Sequence, residues 1–182
     1  MKAAPPPFPN APLKFGGVAH RLRLLHGGDE EILRAFFRSH TPETIYERYG
    51  YPVPDMNFDR AHQLVGVDQS RDCAVGIFET DARGEALDAV GRYCLDPDGR
   101  NAEVAFVVRE SKRNLGMAKA LLKVLIVTAK ARGLDALWAQ LAPGNGPMMA
   151  VFRRAGFSFI ALGPGEGVKA TLPLRARKRK AK

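Results

Sequence analysis

At 182 residues with 46% apolar side chains, the chain can form one domain with a core and tails, and no apolar run reaches the roughly 18 residues of a membrane span. The net charge of +9 is unevenly placed: Arg175, Arg177, Lys178, Arg179, Lys180 and Lys182 supply six of it, so the rest is only mildly basic. Total charge is therefore no argument for nucleic-acid binding.

Five of the thirteen prolines fall in the first 16 residues, and residues 1–17 read as an extended arm. This stretch has no apolar segment like that of a signal peptide, so a cytoplasmic location is expected. The alternation of VAHRLRLL predicts a first strand from Val18. Asp29 is placed to cap a helix with Glu30 and Glu31 in its first turn and Ile32, Leu33, Phe36 and Phe37 on its buried stripe. Thr41-Pro42-Glu43 starts a second helix that ends before Gly50.

Strands over 73–80, 85–95 and 101–108, separated by Asp-Ala-Arg-Gly and Asp-Pro-Asp-Gly turns, predict an antiparallel meander. A long helix follows, with Leu115, Ala118, Leu122, Leu125 and Ala129 on one face and Gly133 as its stop. A strand over 135–141 would return parallel to the third meander strand. A helix over 147–155 and strands over 157–161 and 168–172 complete the domain, 18–173, with a basic tail over 174–182. Cys73 and Cys94 lie in apolar strands without CxxC spacing and read as reduced core residues, and Trp138 reads as core. His20, His26, His40 and His62 show no metal-ligand spacing, so no metal is expected.

Arg113-Asn114-Leu115-Gly116-Met117-Ala118 joins a strand to a helix. Free amides and a positive helix end at such a turn suit a diphosphate. Gly116 and Ala118 are small enough for close backbone approach, and Arg113 and Lys112 could add charge.

The Arg-x-x-Gly-x-Ala turn, with GNGPMMAVFRRAGF downstream at Gly144 to Phe157, resembles the GNAT superfamily of acetyl-CoA-dependent N-acetyltransferases. FFRSHTPETIYERYG and AEVAFVVRESKRNLGMAKALL resemble the GNAT domain of bacterial Pat-like protein-lysine acetyltransferases more closely. The resemblance implies an α+β, three-layer fold with a mixed, mostly antiparallel sheet flanked by helices. It implies acetyl-CoA as cosubstrate, bound where the family's fourth and fifth strands diverge. Phe106, Val107 and Val108 would line that gap, with the amide of Phe106 or Val107 holding the thioester oxygen at a strand bulge, and the amides of Arg113 to Ala118 would hold the pyrophosphate. Asn145 would contact the pantetheine arm or cap its own helix.

A lysine acceptor is mostly protonated at neutral pH, so a base is needed, and Glu103, in the family-like AEVA pattern, is the candidate. Phe152 stands where many members place a tyrosine near the leaving sulfur, so the general acid is not identified. Tyr46, Tyr49 and Tyr51 fall in the segment that borders the acceptor groove. A protein lysine is the first acceptor expected; a small amine or polyamine, or a noncatalytic acetyl-CoA sensor, are the alternatives. The basic tail could make weak nonspecific contact with nucleic acid, no membrane contact is expected, and the chain would be a monomer or homodimer.

Overall fold

The computed structural model describes residues 12–81 and 84–175. The basic tail beyond Arg175 lies outside them. In chain order the elements are β1 (Leu13–Phe15), β2 (Val18–Leu24), α1 (Glu30–Arg38), α2 (Pro42–Tyr49), α3 (Phe58–Val65), β3 (Cys73–Asp81), β4 (Gly84–Leu95), β5 (Asn101–Val108), α4 (Met117–Ala131), β6 (Ala136–Leu141), α5 (Gly146–Arg154), β7 (Ser158–Gly163) and β8 (Gly167–Pro173). They form one sheet in the order β1-β2-β3-β4-β5-β6-β8-β7, antiparallel throughout except for β5 and β6.

Alternating side chains send two cores to opposite faces of the sheet. Val75, Ile77, Tyr93 and Val104 pack with Leu121 and Leu125 of α4 and Phe152 of α5. Phe78, Leu87 and Val90 pack with Phe36, Phe37 and Ile45 of α1 and α2. The result is the expected three-layer α+β arrangement.

Local chemistry sets the helix ends. Thr41 Oγ1 accepts from the Thr44 amide at 3.3 Å, Pro42 opens α2, and Gly50 closes it at φ 75°. Asp29 does not cap α1 with its side chain. Its carboxylate takes two 2.8 Å bonds from Arg23 and one of 2.9 Å from the His26 amide, because a nearby guanidinium is the stronger partner. Leu115 lies before α4 and is exposed, whereas Met117 and Leu121 fill the buried face.

Two elements were not anticipated. β1 lies inside the segment expected to be an arm and turns back through Gly16 and Gly17, at φ 57° and 82°, into β2. α3 is announced by Asn57, whose Oδ1 accepts from the Arg60 amide at 2.9 Å.

Candidate functional site

The β5–β6 ladder is short. It pairs Asn101 with Ala136, Ala102 with Leu137 and Glu103 with Trp138, and then stops. Beyond that point β5 stays on β4 and β6 stays on β8, so a gap opens between β5 and β6.

Hydrogen-bond parity decides which main-chain groups face the gap. Asn101 accepts from the Asp96 amide and the Arg109 amide donates to Asp88, both at 2.9 Å. Residues 102–108 pair with 95–89 without a register shift. In an antiparallel ladder alternate residues bond to the same neighbour. Glu103, Ala105 and Val107 therefore spend their main-chain groups on β4, and those of Val104, Phe106 and Val108 turn the other way. With Val104 at the point of divergence, Phe106 and Val108 are the residues that present amides to the gap. The expected bulge in β5 is absent. The irregularity nearby is on β4, where Ile77 pairs with Ala89 and Phe78 with Leu87, leaving Asp88 as the extra residue.

The turn after β5 leads into α4. Asn114 and Gly116 adopt φ 63° and 91°. Among the described residues, the amides of Asn114 through Lys119 have no intramolecular acceptor. Gly116 precedes α4 without a side-chain cap, and the first turn carries no acidic residue. The helix end thus keeps its positive field and its donors for an external anion. A Cβ on Gly116 would meet nothing within 4 Å, so glycine is needed there for its positive φ and for an open face.

Charge around this turn is arranged by a buried network. Asp88 is 2% exposed. It accepts from Arg109 Nε at 3.0 Å, lies 3.1 Å from His20 Nε2 and lies 3.5 Å from Lys112 Nζ. Lys112 also pairs with Glu79 at 2.5 Å, so it is committed to carboxylates rather than free for phosphates. His20, Glu79 and Asp88 could together ligate a cation, but the ammonium of Lys112 already stands on both carboxylates. Glu110 fixes the turn to α2. Burial opposes its ionisation, but the Thr41 amide at 3.0 Å and the Thr44 hydroxyl outweigh this and hold its carboxyl down at about 2. Arg113 reaches the same helix, donating from Nη2 to Thr44 Oγ1 at 2.7 Å.

The remaining expected residues are spread around the gap. Glu103 is exposed, on the sheet face that carries α1 to α3, paired with Cys94 on one side and Trp138 on the other. Cys94 and Trp138 are not core residues. Cys94 is exposed, and Trp138 is half-buried with its Nε1–H on the Asp96 carboxylate at 3.0 Å and Lys169 over its ring. The helix-side core reaches Val107 of β5, and Glu103, near the other end of that strand, lies outside it.

Asn145 Oδ1 caps α5 through the Met148 amide at 3.3 Å, so its carbonyl is used while its amide nitrogen has no described partner. Phe152 is 1% exposed, stacked on Phe106 and edge-on to Phe157. It forms a wall behind Phe106 rather than a surface open to ligand. Tyr46 and Tyr51 are exposed, and Tyr49 lines a cavity under α1 and α2. The parity of β5 and the Asp88 network were not read from the sequence; no local pattern encodes either.

The Acetyltransferase (GNAT) family model matches residues 30–157. The GNAT domain of S. lividans PAT is 25% identical, with 92% of this chain and 100% of that one covered at a TM-score of 0.79. A cAMP-binding acyltransferase from Mycobacterium smegmatis is 23% identical at a TM-score of 0.61, over 92% of this chain but 48% of its own length, so the chain spans about half of that protein. YncA of Salmonella typhimurium, solved with its cofactor acetyl-CoA, is 15% identical at a TM-score of 0.63, over 89% and 96%. The family match runs from α1 through α5 and so includes the gap, the turn and both strands that part; the chain belongs to the GNAT family of acetyl-CoA-dependent N-acetyltransferases.

Proposed function

We propose that this acetyltransferase moves the acetyl group to a primary amine, with a protein lysine as the first acceptor and Glu103 as general base. The observation that carries the reading is the row of unpaired amides from Asn114 to Lys119 beside a gap into which Phe106 presents its own amide. The pyrophosphate would sit on Asn114, Leu115, Gly116, Met117 and Ala118, with Arg113 at its edge. The pantetheine arm has amides of its own and would run along Val108 and past Asn145. Parity favours Phe106 over Val107 for the thioester oxygen, because Val107 spends its amide on β4.

In the reaction the amine nitrogen, once Glu103 has taken a proton from the ammonium, attacks the thioester carbon. The carbonyl oxygen gains charge and is held by the Phe106 N–H. The proton reaches Glu103 directly or through one water. The C–S bond then breaks and the thiolate leaves, taking its proton from solvent, since Phe152 has none to give. The Pat-like helix pair and central strand support a protein lysine. One observation favours a second reading, a noncatalytic sensor: the buried phenylalanine where an acid would serve the leaving group.

Calorimetry with acetyl-CoA on wild type and Gly116→Glu, followed by thiol-release assays with lysine peptides, tests the proposal. Binding lost in the variant and thiol release that depends on the peptide are expected. Absence of wild-type binding would overturn it, and binding without transfer to any amine would leave the sensor.

A further inference from the structure

The sheet face that carries Glu103 also carries a cavity of about 30 Å³, walled by α1, α2 and α3 over β4 and β5. That is room for about two water molecules, or for the two oxygens of a carboxylate. Its wall is mostly apolar, but Arg92, Arg48 and His40 also line it and no acidic residue does. Arg92 donates from Nη2 to the Leu64 carbonyl at 2.5 Å, while its Nε is sealed from solvent without an acceptor. Among the described residues neither arginine is paired with a carboxylate. Burial lowers the pKa of the Arg92 guanidinium and the charge of Arg48 adds to this, while Cys94, Tyr49 and Asp72 act more weakly in the opposite sense. A desolvated cation without a counter-ion is costly, and an anionic ligand would offset that cost.

His40 contributes the opposite polarity. Its Nδ1 lies 2.6 Å from the Phe36 carbonyl, so Nδ1–H donates there and Nε2 presents a lone pair, buried and unpartnered. Burial first of all holds its pKa below the ordinary value, which favours this neutral form. The cavity therefore offers donors from arginine and one acceptor from histidine. The arginine donors outnumber that single acceptor and suit a carboxylate. Position agrees. Arg92 pairs with Ala105 while Glu103 pairs with Cys94, so Arg92 and Glu103 are diagonal neighbours on one face, a separation of about 7–8 Å.

We infer that this cavity is a carboxylate subsite of the acceptor site, so that the preferred acceptor is a primary amine whose own molecule also places a carboxylate within reach of Arg92. The inference rests on the transferase reading above and names its substrate class. The same chemistry could come from a free amino acid or from an acidic residue beside a lysine in a polypeptide.

The test compares matched acceptors with full-length enzyme and acetyl-CoA. One arm sets free amino acids, including lysine and ornithine, against their decarboxylated amines. The other sets lysine peptides with a neighbouring glutamate against the same peptides with glutamine. The carboxylate member of at least one arm is expected to have kcat/KM about 10- to 100-fold higher, as for a charge-assisted hydrogen bond. The arm that shows the preference identifies the source. Arg92→Gln should collapse the ratio, chiefly through KM. Arg48→Gln, a second variant on the same cavity wall, should reduce it by a smaller factor, with melting and acetyl-CoA binding followed in both variants. Equal turnover of both members in both arms overturns this inference alone. Intact acetyl-CoA binding with no matched acceptor used overturns it together with the transferase reading and leaves the sensor. Failure to bind acetyl-CoA overturns the transferase reading with it.

Discussion

Glu103 pairs with Trp138 at the last rung of the parallel ladder between β5 and β6. The proposed base thus sits where the sheet stops being continuous. One residue further, the strands have lost each other as partners, and polar main-chain groups become available to a ligand. Exchanging Glu103 for glutamine keeps the shape and removes the proton acceptor. Acetyl-CoA affinity should stay within about twofold, and kcat should fall by about 10²- to 10⁴-fold. Calorimetry and steady-state thiol release check both parts, and near-normal turnover would remove Glu103 from the mechanism.

Gly116 lends itself to a graded test. Alanine meets no atom within 4 Å, so its cost is the positive φ of 91°, about 1–2 kcal/mol. Glutamate adds the same strain plus a negative charge at the anion site. We expect Gly116→Ala to bind acetyl-CoA up to tenfold more weakly, and Gly116→Glu to lose at least about 100-fold. Equal effects of the two variants would argue against a phosphate at this turn.

Asp88 holds the approach to that turn. The neutral Asp88→Asn change leaves Arg109 and Lys112 beside a buried site that no longer balances them. A loss of about 3–5 kcal/mol is expected, as for removal of one partner of a buried ion pair. Urea denaturation would measure it. Acetyl-CoA affinity should fall in parallel, because the network anchors the segment between β5 and α4.

Phe152 tests packing against chemistry. Fully buried between Phe106 and Phe157, it should cost about 3–5 kcal/mol when cut to alanine. If Phe152→Ala proves as stable as wild type in thermal and urea melts, the wall behind Phe106 is not a packed one.

Glu110 gives a pH signature. Its carboxyl is held at about 2 in the fold against an ordinary 4.5. A depressed carboxyl contributes stability that is fully present above the unfolded value and is lost as pH falls through the folded one. Glu110→Gln should therefore be less stable than wild type at neutral pH. The difference should shrink as pH drops from about 4.5 towards 2. Urea midpoints at stepped pH read this directly, and a constant difference would mean that the Thr41 and Thr44 bonds do not carry it.

Much of the architecture is legible in local pattern. The meander follows from its turn residues, α2 from Thr41-Pro42, and α4 from apolar spacing ended by Gly133, whose φ is 74°. The amide-rich turn is likewise a local property, since a strand, a short polar segment and a helix start produce it wherever they occur in sequence.

By itself the sequence determined the order of the strands and helices other than β1 and α3, the amide-rich turn and the residue types around it, because those depend on neighbours a few positions apart. Tertiary structure decided the placement of the side chains that local pattern misassigns. Cys94 and Trp138 share apolar stretches with buried residues but lie outside the core that the helices close over the sheet. Lys112, a residue that could add charge beside the turn, pairs with Glu79 and Asp88, which reach it from other strands. The choice of Phe106 over Val107 for the gap rests on ladder parity, and the cavity of Arg92 and His40 on helices packed over the sheet. These are consequences of long-range register and packing, in which a one-residue shift would reverse the outcome.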